Sequence, residues 1–417
     1  MISILKLLYN TNMKYIRKFY PVLNNKINGK KVIYLDSACS ALKNKLAIAE
    51  ESDFLSKYGF CSGKRSVHYL SSLTEEKIQI ARENISSQLN SSSQEIVFTS
   101  GTTESVNILA NSIDFKKGDT VLISALEHNS VLLPFWRLAQ KGLIKLDIIS
   151  IKDYKIDLKV LARKLESRPK LLCLTASSNI AGGIEPFTEA INLAHKRKCP
   201  VLIDAAQYIP SHKIDALNID FLAFSGHKMG APFGTGILYI NKAHFPTLSS
   251  AKLGGGTIKN ISLKGKGIEV ELLNSYMSFE AGIQNYAGIW SLYKNMEFLE
   301  NLNYKNIRKH ISDLVLYAKD ELSRLPSIKV IGNSIEEGSL VSFISQNKKF
   351  SNMDFQLYCN ENPDYHFAFR SGKMCADLAC LNLGLNGVIR ISFYIYNTYE
   401  DIDIFIRILK NYIKSID

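Results

Sequence analysis

Lys228 closes the apolar run Phe221-Leu222-Ala223-Phe224-Ser225-Gly226-His227-Lys228, and Asp204-Ala205-Ala206-Gln207 closes the apolar run before it. A lysine at the inner end of a buried strand is disfavoured, because desolvation penalises its charge. The same desolvation yields a neutral amine, a nucleophile able to form a Schiff base with an aldehyde cofactor. A nearby carboxylate is what a pyridine nitrogen needs to stay protonated and act as an electron sink. Lys228 and Asp204 together point to a pyridoxal 5'-phosphate (PLP) site.

Ser100-Gly101-Thr102-Thr103 follows the strand-like run Ile96–Thr99 and opens a helical pattern. Backbone N–H groups at a helix N-terminus, joined by hydroxyls, make a phosphate seat. By itself the segment reads equally as a capping turn, but a phosphate seat and a buried lysine in one chain reinforce each other. Ser225 and His227, flanking the lysine, offer further phosphate contacts. His128, in Glu127-His128-Asn129, follows Thr120–Ser124 and is placed to lie on a pyridine ring and move protons; its alternative is a satisfied core or surface histidine. Asn179 and Gln207, each after its own strand, could bond the ring oxygen and neighbouring groups.

Positioning these residues needs a sheet. Short β-rich runs (Ile96–Thr99, Thr120–Ser124, Leu146–Ser150, Leu171–Thr175, Val201–Asp204, Phe221–Phe224 and Gly236–Ile240) alternate with amphipathic stretches such as Leu158, Leu161, Ala162 and Leu165. That alternation predicts an α/β fold with a mostly parallel sheet covered on both faces, whose carboxyl ends bind ligands. After Gly254-Gly255-Gly256 the composition suggests a lysine- and glycine-rich loop, then a helical region over about residues 280–325. The final helix has a capping box, Thr398-x-x-Asp401, and an apolar stripe of Ile402, Phe405, Ile406, Leu409 and Ile413. The last hundred residues read as a smaller α+β domain closing over the first.

The bulk properties exclude more than they identify. At 417 residues there is room for two domains, and no apolar run reaches the ~18 residues of a spanning helix, so no membrane partner is expected. The net charge of +12 is spread among scattered lysines without interleaved aromatics, which argues against nucleic acid. Seven widely spaced cysteines form no CxxC pair and no zinc spacing, so no metal site is expected and a reduced, cytoplasmic compartment fits. The start, Met1 to Tyr9, is basic and lacks acids, leaving organelle targeting as the alternative; Met13 could equally begin the protein.

Asp204-x-x-Gln207, Ser225-Gly226-His227-Lys228 and Glu127-His128 resemble the signature of class V PLP enzymes of the aminotransferase superfamily. Arg370-Ser371-Gly372-Lys373-Met374-Cys375-Ala376 resembles the Arg-x-Gly-x-x-Cys-Ala segment of SufS-like (type II) cysteine desulfurases, and the likeness runs from Tyr34-Leu35-Asp36-Ser37-Ala38 to Tyr396-Asn397-Thr398. The resemblance implies PLP-dependent fold type I, with a seven-stranded, mostly parallel sheet in a large domain over residues 36–295 and a small domain over 1–35 and 296–417 that carries the cysteine loop. It implies that Lys228 carries PLP as a Schiff base, Asp204 pairs with the ring nitrogen, Gln207 with the phenolic oxygen, and His128 stacks on the ring. Asn179 would touch cofactor and substrate; Thr102, Thr103, Ser225 and His227 would hold the phosphate. Arg370 and Arg390 would clamp the substrate carboxylate with their guanidinium forks. Cys375 would be the nucleophile, made more anionic by Arg370 and Lys373, turning L-cysteine into L-alanine and leaving a persulfide on the enzyme. Cys380 reads as a small apolar residue or a relay thiol.

The resemblance also implies a homodimer, a sulfur-acceptor protein, and a role in iron–sulfur cluster assembly or thio-modification. A selenocysteine lyase acting on L-selenocysteine, another class V lyase or transferase, and a non-catalytic sulfur-transfer scaffold are the alternatives. The chain departs from the family pattern in several places, among them Ala376-Asp377-Leu378 where Ala-Gln-Pro follows the cysteine. Ile283 stands where a threonine reaches the neighbouring subunit's phosphate, a loss of ~1–3 kcal/mol of cofactor binding. Lys64-Arg65-Ser66-Val67-His68 replaces a segment that begins with histidine, and Lys373-Met374 replaces two histidines before the cysteine.

Overall fold

The computed structural model describes residues 13–62, 68–332 and 338–417. Residues 1–12 and the Lys64-Arg65-Ser66-Val67 stretch lie outside the described residues.

The centre is a seven-stranded sheet in the order Ile96–Thr99, Gly236–Ile240, Phe221–Ser225, Val201–Asp204, Leu171–Thr175, Asp119–Ser124, Ile144–Ile149. All strands run parallel except Gly236–Ile240, which is antiparallel to both its neighbours. Leu171–Thr175, Val201–Asp204, Phe221–Ser225 and Gly236–Ile240 are buried at every position, as expected of strands covered on both faces. The register puts Gly236 opposite both Thr99 and Ser225. The carboxyl ends of Ile96–Thr99 and Phe221–Ser225 therefore meet at one edge, with Asp204 a strand away.

The helical region after residue 285 is two helices, Tyr286–Leu302 and Tyr304–Ser323, broken at Asn303, which adopts a left-handed φ of 66°. Asparagine tolerates that conformation because its short side chain bonds locally; here it caps the second helix at Lys305 N–H. The stretch after Gly256 is not a loop but an exposed hairpin, Ile258–Lys264 with Gly267–Leu272.

A second sheet holds Ile328–Ile331, Leu340–Ser345, Val388–Ser392 and Arg370–Gly372 in that order, all antiparallel. The N-terminal strand Lys31–Tyr34 pairs in parallel with Tyr365–Ala368, and Asp36 bridges to Ser392, which delivers Asp36 to the edge of this sheet. The final helix, Tyr399–Ile416, begins at the expected capping box. Its buried Phe405 packs against Phe343, Phe355 and Phe369 at ring separations of 6.4, 5.9 and 5.3 Å. No helix among the described residues is long and apolar enough to cross a membrane.

Candidate active site

A cavity of about 380 Å³ opens at the carboxyl edge of the central sheet, where the second sheet meets it. Its wall holds Lys228, Asp204, Gln207, His128, Asn179 and Cys375. Thr102, Thr103, Ser225, His227, Arg370 and Arg390 complete it, so the structure brings all twelve site residues expected from the sequence to one place.

At one end lies the N-terminus of the helix Thr102–Ser112. Its N-cap is Gly101, which has no side chain to bond the first-turn N–H groups. Gly101 has φ 151°, and a Cβ built on Gly236 would lie 2.4 Å from Gly101 Cα, so both glycines are needed for the turn to close onto the sheet. Ser225 Oγ accepts from Thr102 N–H at 2.8 Å and lies 2.9 Å from Thr102 Oγ1, while Thr103 Oγ1 lies 2.7 Å from Ser130 Oγ. The Nδ1 of His227 is buried without a hydrogen-bond partner. Burial, then Lys228 and Lys43, lower the His227 pKa to about 4.

Lys228 sits in the turn Gly226–Met229 that ends the Phe221–Ser225 strand. Burial pushes its amine below the usual lysine range, Asp204 pulls it back up, and Arg390 pushes it down again. Asp204 is 5 % exposed and takes the Ala206 N–H at 2.9 Å. Its pKa is raised by burial against the opposing pull of Lys228. Behind it Glu127 is fully buried, bonded by Thr175 N–H at 2.6 Å, and driven well above the carboxylate range by burial and by Asp204. Each carboxylate thus disfavours a charge on the other.

His128 caps the helix Asn129–Gln140, its Nδ1 accepting from Ser130 N–H at 3.0 Å. That role requires Nδ1 to be unprotonated. Burial, then Lys228 and Arg390, lower its pKa to about 4, so the ring is neutral at pH 7 with its proton on Nε2.

The register of the second sheet sets Arg370 directly opposite Arg390. Like charges across a ladder repel. Asp36 relieves this by bridging both, at 2.9 Å to Arg370 Nε and 3.4 Å to Arg390 Nη2. Arg390 is 3 % exposed, gives Nη1 to Asn179 O at 3.1 Å, and leaves Nε unpartnered. Gln207 gives its amide to Ala38 O at 2.7 Å, and Asn179 gives its amide to Met374 O at 2.9 Å.

Cys375 is exposed at the rim. Met374 and Cys375 are consecutive left-handed residues, with φ of 53° and 54°, a conformation that costs about 1–2 kcal/mol at a non-glycine position. The loop is held there by Asn179 on Met374 O and by Asn129 N–H on Cys375 O at 2.7 Å. Lys373 lies 3.8 Å from Asp377, and Arg370 is engaged by Asp36. Cys380 is buried, consistent with a small apolar residue.

Sequence reasoning passed over Asp36, the bridge between the two arginines, and Cys39, whose sulfur takes a hydrogen bond from Arg370 Nη2 at 2.8 Å and borders the same cavity. The signal for Asp36 was its place in the Tyr34–Ala38 motif; Cys39 had none.

The residues present fit PLP. A helix N-terminus whose N-cap Gly101 offers no side chain, with three hydroxyls and an orphaned histidine nitrogen beside it, suits a phosphate, a buried carboxylate suits a pyridinium, and a destabilised ammonium suits a Schiff base.

The family model for aminotransferase class-V matches residues 33–405. A probable cysteine desulfurase of Borreliella burgdorferi is 34% identical over 415 residues, 97% of this chain and 97% of its own length. A cysteine desulfurase of Escherichia coli is 32% identical over 395 residues, covering 93% and 95%. The solved apo cysteine desulfurase of Thermococcus onnurineus superposes with a TM-score of 0.88 at 30% identity over 96% of this chain and 98% of its own. A second solved relative, an Escherichia coli cysteine desulfurase in an S-sulfonic acid form, gives 0.85 at 27% identity over 98% and 100%. The chain belongs to the PLP-dependent class-V aminotransferase family, and within it to the cysteine desulfurases.

Proposed function

We propose that the chain converts L-cysteine to L-alanine and takes the sulfur onto Cys375 as a persulfide. The observation that carries this is the convergence of Lys228, Arg390 and Cys375 on one cavity: an amine for the cofactor, a guanidinium with an unpartnered Nε, and a thiol at the rim. Lys228, Asp204, His128 and the phosphate seat would hold PLP, which when bound would supply an electron sink for bonds to the substrate α-carbon.

The remaining work falls to the chain. Arg390 and Arg370 receive the substrate carboxylate, with Asp36 holding both forks in place. Lys228 is the amine positioned to move protons at the substrate carbons. His128 keeps a neutral ring with its proton on Nε2, so it adds no charge against the pyridinium side of the site. The Cys375 thiolate attacks the substrate sulfur; the S–S bond forms as the C–S bond breaks, and Cβ takes a proton to complete alanine.

A homodimer and an acceptor protein that takes the persulfide from the exposed rim complete the proposal, with iron–sulfur assembly or thio-modification as the destination in a cytoplasmic setting. The pairing of Lys31–Tyr34 with Tyr365–Ala368 supports placing the first 35 residues with the small domain, while the border at residue 295 falls within the helix Tyr286–Leu302. L-selenocysteine is the competing substrate, since selenide leaves without help from a thiol. The test is alanine formation by PLP-loaded protein from each amino acid. Alanine from L-cysteine, lost in Lys228→Ala, is expected; alanine from L-selenocysteine alone would replace the desulfurase reading.

A further inference from the structure

Of the seven cysteines, two line the active-site cavity, Cys375 at the rim and Cys39 further in. Cys39 is half-buried in the turn after Asp36, its N–H bonded to Asp36 O at 3.0 Å. Next to it, Ala38 is fixed by Ser392 Oγ and by Gln207, so the turn is rigid. The guanidinium of Arg370 is aimed at its sulfur, at 2.8 Å from Nη2. A charged donor at that distance fixes the sulfur in the cavity wall, and partial exposure leaves it open to the cavity.

Three further features mark this spot. Arg390, nearly fully buried in the same wall, leaves its Nε without a partner and so points to an anionic occupant. Lys43, whose amine bonds Ser40 Oγ at 3.0 Å, is lowered to about 8 by burial and pulled back up by Cys39. Arg370 also begins the short strand that leads, five positions later, to Cys375, so one segment touches the first thiol and carries the second. The remaining cysteines lie elsewhere: Cys173, Cys199, Cys359 and Cys380 are buried, and Cys61 is exposed away from the cavity.

We propose that Cys39 is a second sulfur-accepting thiol, taking the outer sulfur of the Cys375 persulfide inside the substrate pocket. The inference rests on the desulfurase reading, which supplies that persulfide. The Cys39 thiolate attacks the outer sulfur of Cys375; a new S–S bond forms on Cys39 as the S–S bond on Cys375 breaks, and Cys375 leaves as thiolate. One persulfide is consumed and one is made, so no oxidant or reductant is required. Cys375 is then free to take a second sulfur while the first is held on Cys39 within the same cavity.

The test uses reduced holoenzyme stripped of small thiols, mixed with L-cysteine, quenched early with an alkylating agent that caps persulfides, and mapped by peptide mass spectrometry while alanine is counted. Wild type is expected to give a burst of two alanines per protomer, with the mass of one sulfur added to both the Cys39 and Cys375 peptides. Cys39→Ser is expected to halve the burst relative to wild type. Cys375→Ser is expected to leave the Cys39 peptide unmodified, because its sulfur arrives through Cys375. A wild-type burst of one with Cys39 unmodified would overturn the proposal, as would a Cys39–Cys375 disulfide with release of hydrosulfide, or a modified Cys39 in Cys375→Ser. The wild-type map decides the question even where the serine variants fail to fold. Absence of alanine would instead sink the desulfurase reading. In that case inorganic polysulfide serves as sulfur donor to Cys375, and transfer to Cys39 is read from the same peptides.

Discussion

Replacing Arg82 with methionine isolates the pair that ties the departing segment around Ile283 to the phosphate seat. Arg82 donates Nη1 and Nη2 to Glu280 Oε1 and Oε2, each at 2.8 Å, and Nη1 to Ile96 O at 2.6 Å. Its guanidinium lies 4.1 and 4.4 Å from the ring centroids of Phe98 and Tyr276. Glu280 Oε1 also takes the Phe98 N–H at 2.7 Å, so the carboxylate is clamped onto the strand that ends at Thr99. The two side chains are 6% and 10% exposed. Removing one partner of a buried pair leaves the other charge uncompensated, at a cost of about 3–5 kcal/mol. With a urea slope of about 3 kcal/mol/M, Arg82→Met lowers the unfolding midpoint by about 1 M or more. Glu280→Gln keeps an acceptor for Phe98 N–H and leaves Arg82 its carbonyl and ring contacts, so it costs roughly half as much. The double variant carries no stranded charge and falls short of the sum of the singles by about 1–3 kcal/mol. The assay is urea unfolding followed by fluorescence. An Arg82→Met midpoint within about 0.3 M of wild type, or strictly additive variants, would refute the reasoning.

Three further outcomes follow from the geometry. His128 and His227 each have a folded pKa of about 4 against about 6.5 unfolded, so the unfolded chain takes up their protons first; the stability they allow is complete above pH ~6.5 and is lost as pH falls towards 4. In cofactor-free protein this amounts to about 1–3 kcal/mol per histidine, and His128→Asn flattens the acid limb of urea midpoint against pH by about one proton; an unchanged limb contradicts it. Gly226→Ala puts a Cβ 2.4 Å from Thr235 Oγ1 and 3.1 Å from Leu292 Cδ1, so the turn carrying Lys228 must shift, at about 1–3 kcal/mol with weaker PLP retention; equilibrium dialysis showing wild-type retention counts against it. Thr398→Ala removes the box that takes Asp401 N–H and orders Asp401 on Thr398 N–H, costing about 1 kcal/mol in unfolding while alanine formation holds.

Much of the fold was legible because its signals are local. The runs ending at Thr99, Thr175, Asp204 and Ile240 matched observed strands end to end, since each is a short apolar segment bounded by polar or glycine punctuation. Asn303 hid a helix break because left-handed asparagine leaves no pattern in hydrophobic periodicity. The hairpin Ile258–Lys264 and Gly267–Leu272 was missed although Ile268, Val270 and Leu272 alternate with Glu269 and Glu271, because the surrounding lysines and glycines read as a loop. Around the cavity, residues with distinctive chemistry, such as Lys228 and Asp204, announced themselves. Those whose role is to hold others did not. Asp36 matters only because the sheet register sets Arg370 opposite Arg390, and Cys39 only because Arg370 folds back onto it. Both facts are tertiary.

The most direct measurement of the central claim counts alanine and protein-bound sulfur after PLP-loaded protein meets L-cysteine, in wild type and in Cys375→Ala. The account predicts alanine matched by persulfide sulfur in wild type, and loss of about 100-fold or more in the rate of alanine formation when the nucleophile is removed. Wild-type rates in Cys375→Ala, with sulfide released directly into solution, would contradict it.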